Sequence, residues 1–377
     1  MFSRRLLSIK KHSMYVVIFK HCLPIFAFLL MAVIAAWPTL IQDKEKLALP
    51  APQTLKETPN INMEQVRFFA QDPKHKKITT TANKIIEIDV ENNVIRLEKP
   101  VATYLLNSGE TITAKSPYGL AYQNDKYMFF EDRVSATTDT GYTMQSSQVT
   151  MTYDGVLDTN SPVSIKGPAG TLNAQGVHMI NKGANIHFKK KTTVHMNNNK
   201  QGQIVIISQD GMDVDRTLKT VTAQKDVHVK NDGKTLTADH IVLYYIEGNK
   251  TKIDHIEATG HVVSVDGQNK ITADKMIAYY NNDKNNQIRS IKANGHVVAS
   301  NPKNKITGNS GEYIPTKETI TMFGDVVLHQ GKSFIKGTEA WLNMATGDSN
   351  LKNNNAKDGE KKGRVTGTFM PQKWIKH

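Results

Sequence analysis

Beyond about residue 60, apolar side chains recur at every second position in short runs. Segments such as HVVSV, KITA, TVTAQKDVHV and TITMFGDVVLH alternate apolar with polar residues and are rich in Val, Ile and Thr. The turn-forming clusters NDG, DGQN, NNDKNN and GK bound them. A period of two with β-branched enrichment predicts strands with one apolar and one polar face. No stretch after residue 60 carries a long 3.6-residue apolar period, so the expected fold is all-β and antiparallel.

The strands are also repeated. GHVVSVDGQNKITADKMIAYY from Gly260 is echoed by GHVVASNPKNKITGNSGEYIP from Gly295. Anchored two residues before a valine, the unit falls at Lys99, Asp132, Ser161, Lys190, Lys225, Gly260, Gly295 and Gly324, with Thr192 replacing the valine once. The spacings are 33, 29, 29, 35, 35, 35 and 29 residues. In the last four copies Leu236, Ile271, Ile306 and Ile335 hold one position, each followed two residues later by Ala238, Ala273, Gly308 or Gly337. A period of this size marks an array in which each unit buries its apolar face against its neighbours. At two strands per unit, eight units predict about sixteen strands.

The N-terminus differs in kind. Cys22 to Ile41 is an uncharged apolar run of twenty residues, preceded by Arg4, Arg5, Lys10, Lys11 and Lys20. That length spans a bilayer as a helix, and the positive-inside rule leaves residues 1–21 in the cytoplasm and exports the rest. The competing reading is a cleaved signal peptide with small residues at Ala32, Ala35 and Ala36; the run continues beyond them to Ile41, which favours a retained anchor in the inner membrane. Pro50, Pro52 and Pro59 mark a linker over 42–61. The Asn-rich stretch Met196–Gln203 divides the remainder into two expected β-domains, 62–198 and 203–350. A basic tail, 351–377, is expected to be disordered.

Charge narrows the function. The chain carries a formal net charge of +13, but residues 201–350 hold 17 basic and 17 acidic residues. The excess sits largely at the two ends, which argues against a nucleic-acid partner. One cysteine, Cys22, excludes an intrachain disulfide or a cysteine zinc site. No P-loop, G-x-G-x-x-G, H-E-x-x-H or G-x-S-x-G motif occurs, and GNSGE around Ser310 lies inside a repeat without a strand-to-helix elbow. No catalytic residue, metal site or cofactor is expected. His261 and His296 occupy equivalent repeat positions, Asp226 and Asp325 taking that place in the other two copies; they read as outward polar residues beside a turn. FKKKTTVH from Phe188 reads as a solvated strand face. In Tyr244/Tyr245 and Tyr279/Tyr280 one ring is expected in the core and the other in water.

Two segments carry a resemblance. TMQSSQVTMTYDG and TNSPVSIKGPAGTLNAQG (Thr159 to Gly176), behind the anchor, resemble the periplasmic C component (LptC) of the lipopolysaccharide transport bridge. The G-H-V-V…I-T-A-D-K units resemble the organic-solvent-tolerance (OstA) N-terminal domain of the bridge's A component (LptA). The typical C component ends after the first domain, so a chain with both raises the question whether a separate A component is needed. The resemblance implies two consecutive antiparallel β-jellyroll, or β-taco, domains whose apolar interior is an open gutter for acyl chains. It implies a non-enzymatic role in passing lipopolysaccharide from an inner-membrane ABC transporter towards the outer membrane. A further bridge protein or the outer-membrane translocon would join by edge-strand pairing, with edges near Met63–Phe69 and Phe334–Met344.

Alternation and repeat equivalence give the gutter candidates Val227, Val229, Leu236, Ala238, Val262, Ile271, Ala273, Val297, Ile306 and Val326. Pattern alone also fits an ordinary closed core, and with it a membrane-anchored β-repeat scaffold or adhesin without lipid. The small residues Ala238, Ala273 and Gly308 at one inward position lean towards a gutter with space.

Overall fold

A computed structural model describes residues 63–71, 77–198, 202–247, 251–281, 287–302, 304–331, 333–346, 348–353 and 365–368. The expected anchor and linker lie outside the described residues, among which no helix is long and apolar enough to cross a membrane. Among the described residues two short 3-10 turns, Asn181–Gly183 and Pro315–Lys317, interrupt an otherwise all-β arrangement. Twenty-six strands form one hydrogen-bonded ladder among the described residues, and every pairing is antiparallel. Pairing reaches into both sides of the Asn-rich stretch: Thr192–Asn198 and Gly202–Ser208 are antiparallel partners.

The repeat anchors have a structural meaning. Lys99, Asp132, Lys190, Lys225, Gly260, Gly295 and Gly324 all adopt positive φ, between 47° and 76°. Ser161 lies in the gap between the strands Leu157–Thr159 and Val163–Gly167. At each later anchor two residues face one across the ladder: Gly260 and His261 stand opposite Asp274, and Gly295 and His296 opposite Asn309. Such a bulge bends its strand. Because the bulges lie on neighbouring strands, the bends add into one crease along the sheet, which divides it into two flanks that face each other over a common core.

This crease explains why there are more strands than the sixteen expected. In the C-terminal half the chain bends through the crease without losing pairing, as in Thr220–Asn231 and Lys252–Asp266. In the N-terminal half several strands break there instead, although Tyr127–Thr138 still bends through with a bulge at Asp132. Pro100 separates Val94–Glu98 from Val101–Leu105, and Pro117 separates Thr111–Lys115 from Tyr118–Tyr122; a residue without an N–H cannot continue the ladder. Buried hydroxyls take up the carbonyls released by the break. Thr192, fully buried where the repeat otherwise has valine, donates to the Lys190 carbonyl at 3.2 Å, and buried Ser208 donates to that of Gly211 at 2.6 Å.

Two expectations about the C-terminal end need correction. Phe334–Met344 is not a free edge: Ser333–Asn343 pairs on its outer side with Ser349–Lys352 and with Thr366–Thr368. Leu351, Lys352 and Thr366–Thr368, all expected in a disordered tail, therefore stand in strands. Leu351 explains the return, since its side chain packs against the core at Gly337, where a Cβ would collide with it. At the other end Met63–Gln71 pairs only with Lys77–Asp89 among the described residues, and is an edge.

Candidate functional site

Cross-strand partners point to the same face, so the pairing registers trace which residues line the interior. On the first flank one row runs Phe68, Thr80, Ala102, Ala114, Ala136, Met144. It continues Ile165, Leu172, Val194, Ile206, Val229, Leu236, Ser264, Ile271, and ends Ala299, Ile306, Leu328, Ile335. The second flank has its counterpart. Ile95, Ala121, Met128, Met151, Leu157 and Met179 lead into Ile186, Val214, Val221, Leu243, Ile256, Ala278, Ile291 and Tyr313, and then Ile320 and Leu342.

Exposure along the rows is uneven, and both change together. From Thr80 to Met144 and from Ile95 to Met179 every member is buried. From Ile165 to Ile271 and from Ile186 to Tyr313 every member is half-buried. Burial returns at Ala299, Ile306 and Leu328 on one flank and at Ile320 and Leu342 on the other. The interior is thus a trough, apolar except at Thr80 and Ser264, whose mouth is open over about half of each row, with Phe68 and Ile335 at the outer ends of the first row again half-buried.

Named contacts shut the N-terminal end. Thr80 Oγ1 donates to Met128 Sδ at 3.2 Å, and the Tyr104 hydroxyl donates to the Asp154 carbonyl at 3.4 Å. The loop after Leu105 then crosses the mouth. The Asn107 backbone N–H donates to the Lys182 carbonyl at 3.0 Å, its side-chain amide donates to the Asn181 carbonyl at 2.9 Å, and Arg216 Nη1 donates to Glu110 Oε2 at 2.8 Å. Burial pushes the Glu110 carboxyl up, but hydrogen bonds from Arg216 and Ser108 and the Arg216 charge outweigh it and hold the carboxyl below its ordinary value. Within the open stretch Lys234 pairs with Asp266 at 2.8 Å. Burial first, then the charges of Glu318 and Asp266, push the Tyr313 hydroxyl on the opposite flank upward.

The ten residues marked from sequence all face this interior, at two depths. Val227, Ala238, Val262, Ala273, Val297 and Val326 are buried beside the crease and form the floor, and Ile306 is buried at the closed end. Val229, Leu236 and Ile271 are half-buried in the open row. The small residues leave no space. Ala238 and Ala273 are 5% and 6% exposed, and a Cβ on Gly308 would collide with Met322, whose side chain fills that position from the other flank. They admit close packing of the floor; room lies at the mouth. Sequence reasoning missed the mouth's other half, above all Ile165, Leu172, Val194 and Ile206 on one flank and Ile186 and Val214 on the other. Their alternation was present, but short strands and irregular repeats hid it.

Outside the trough, His261 and His296 are 92% and 91% exposed, each hydrogen-bonded through Nδ1 at 2.8 Å, to Asp239 and Asp274 respectively. The Asp239 hydrogen bond raises the His261 pKa. These pairs brace the bulge from outside, and no group of three potential metal ligands occurs among the described residues. The tyrosine expectation is corrected: all four rings are half-buried. Tyr244 stacks on His255 at 4.2 Å, and Tyr279 lies on its other side at 5.8 Å, a cross-strand ladder that shields both outward rings. A second apolar cluster, Val94, Leu120, Tyr122, Tyr127 and Phe129, lies on the strand face opposite the interior row and was not anticipated.

Residues 28–197 match the family model described as lipopolysaccharide-assembly, LptC-related. Residues 246–348 match that described as LptA/(LptD N-terminal domain) LPS transport protein. No curated protein sequence matches the chain. Among solved structures, the chain is similar to LptH from Pseudomonas aeruginosa, described as the LptA homologous periplasmic component of a conserved lipopolysaccharide transport device; identity is 12%, the match covers 45% of this chain and 95% of that one, and the TM-score is 0.22. The chain carries, in sequence order, an LptC-related region and an LptA/LptD N-terminal-domain region of the lipopolysaccharide transport families.

Proposed function

We propose that this chain is a non-enzymatic component of the lipopolysaccharide export bridge, anchored in the inner membrane by Cys22–Ile41 with its bulk in the periplasm. In this reading it takes lipopolysaccharide from the inner-membrane ABC transporter and passes it towards the outer membrane, the acyl chains lying in the trough. The observation that carries the reading is the pair of largely apolar rows, which continue across the LptC-related and LptA-type regions and are half-exposed from Ile165 to Tyr313. Acyl chains need apolar surface without directional bonds, and a continuous row offers that surface at every strand spacing of about 4.8 Å. Met63–Gln71, an edge among the described residues, is suited to pairing with a transporter-side strand.

The test is lipopolysaccharide binding to the full-length chain purified in detergent, wild type against Leu236→Asp. A charge at this half-buried, lipid-facing position is expected to abolish binding while the β-rich circular dichroism stays unchanged. Unaltered binding by the folded variant would overturn the proposal.

A further inference from the structure

Resting on that reading, we infer that the last two strands are an exchangeable cap. They occupy the seat of a following creased-sheet module, whose edge strand enters by displacing them. Ser349–Lys352 pairs with Glu339–Leu342 on one flank, and Thr366–Thr368 with Phe334–Lys336 on the other, both antiparallel to Ser333–Asn343. The two run in one direction along one line, with Gly337 and Thr338 of their partner between them, and so form a single strand broken at the crease. The same arrangement is used inside the chain, where the LptC-related region ends. There Asn185–Phe188 and Thr192–Asn198, another strand broken at the crease, pair with Met212–Asp215 and Gly202–Ser208. That internal junction is the template for what fits the far edge. Two features make the cap weak. Of its seven residues Leu351 alone is half-buried, and the other six are exposed; a segment held by so little burial opens at low cost. The apolar rows also stop at it, because opposite Ile335 and Leu342 it offers Gly367 and Ser349. Met63–Gln71 differs on both counts: it is nine residues long, and its Val66 and Phe68 pack against the interior. A strand of that kind on Ser333–Asn343 would extend the rows that the cap ends. While the cap is seated, the edge is withheld from other strands.

The probe is a second copy of this chain, whose Met63–Gln71 supplies the incoming edge. Three forms are compared in detergent by light scattering: wild type, a chain ending at Asp348, and Lys336→Cys with Thr366→Cys in a Cys22→Ser background. Lys336 and Thr366 are register partners, a separation a disulfide spans. The shortened chain is expected to associate head to tail, its mass rising with concentration. A photoreactive amino acid at its Lys336 should give adducts that map to Met63–Gln71 of the second copy. Wild type and the reduced cysteine pair should associate only at higher concentration, where the incoming strand outcompetes the tethered cap, and the oxidised pair at none. An unchanged mass in the folded, shortened chain, or adducts that map outside Met63–Gln71, would overturn the cap. The lock decides the matter even where the shortened chain does not fold: oxidised and reduced forms that behave alike would overturn the cap as well. Lipopolysaccharide adducts at Leu236 of the locked chain in cells separate this inference from the reading beneath it. They are expected to persist, and their absence would overturn the trough reading, whereas the cap is judged by association alone.

Discussion

Arg216 and Glu110 are 106 residues apart in the chain and meet at 2.8 Å across the mouth of the trough. One comes from the turn after Met212–Asp215 and the other from the loop before Thr111–Lys115, so the contact joins opposite flanks. Both side chains are partly exposed, which limits the pair to about 1 kcal/mol. Arg216→Ala is expected to cost about that much in thermal unfolding at neutral pH, and to speed amide exchange over Leu106–Glu110. Because the Glu110 pKa is lowered on folding, its contribution is present above the ordinary carboxylate range and is lost as pH falls through the folded value. Wild type and variant should therefore converge in acid. A difference that persists there would assign the effect to packing.

The crease should be sensitive at its glycines. Gly260 and Gly295 hold φ of +75° and +76°, and a Cβ at either would collide with the carboxylate of Asp239 or Asp274. Gly260→Ala and Gly295→Ala are each expected to cost about 2 kcal/mol, the left-handed strain plus loss of the aspartate's place beside its histidine. Gly267→Ala is the comparison. It has φ of +59° but nothing within 4 Å of its would-be Cβ, and should cost about 1 kcal/mol, the strain alone. Urea unfolding of the three variants measures the difference.

Depth in the trough should be readable as stability. Leu97 is fully buried and Leu236 half-buried. Leu97→Ala should destabilise by about 3 kcal/mol through lost transfer energy and a cavity, whereas Leu236→Ala should cost about 1 kcal/mol because the mouth leaves little cavity behind. Equal losses would mean that the mouth is closed in solution.

Much of this architecture was legible in the sequence. Period-two alternation at segments such as HVVSV fixed the strand type, and the repeat register fell on the crease: seven of the eight anchors carry the positive φ that bends the sheet. Glycine at Gly260, Gly295 and Gly324 supplied that signal openly, whereas Asp132, Lys190 and Lys225 adopt the same conformation without a residue type that announces it. The inward face was also legible, because alternation distinguishes the faces of a strand. Depth was not. Val227 and Val229 are identical in pattern, yet one lies in the floor and the other at the mouth, a difference set by what the opposite flank supplies. For the same reason Gly308 read as open space when Met322 fills it. The strap was invisible, since Glu110 and Arg216 acquire meaning only once the two flanks are folded together.

The most direct test of the trough uses neighbouring residues. Leu236 faces the interior and Thr237 the opposite side of the same strand, where its register partners are His228 and Val263. With a photoreactive amino acid at one or the other in cells, and adducts blotted for lipopolysaccharide, a signal at Leu236 and none at Thr237 is the predicted result. Adducts at Thr237 alone, or equally at both, would contradict a lipid path inside the creased sheet.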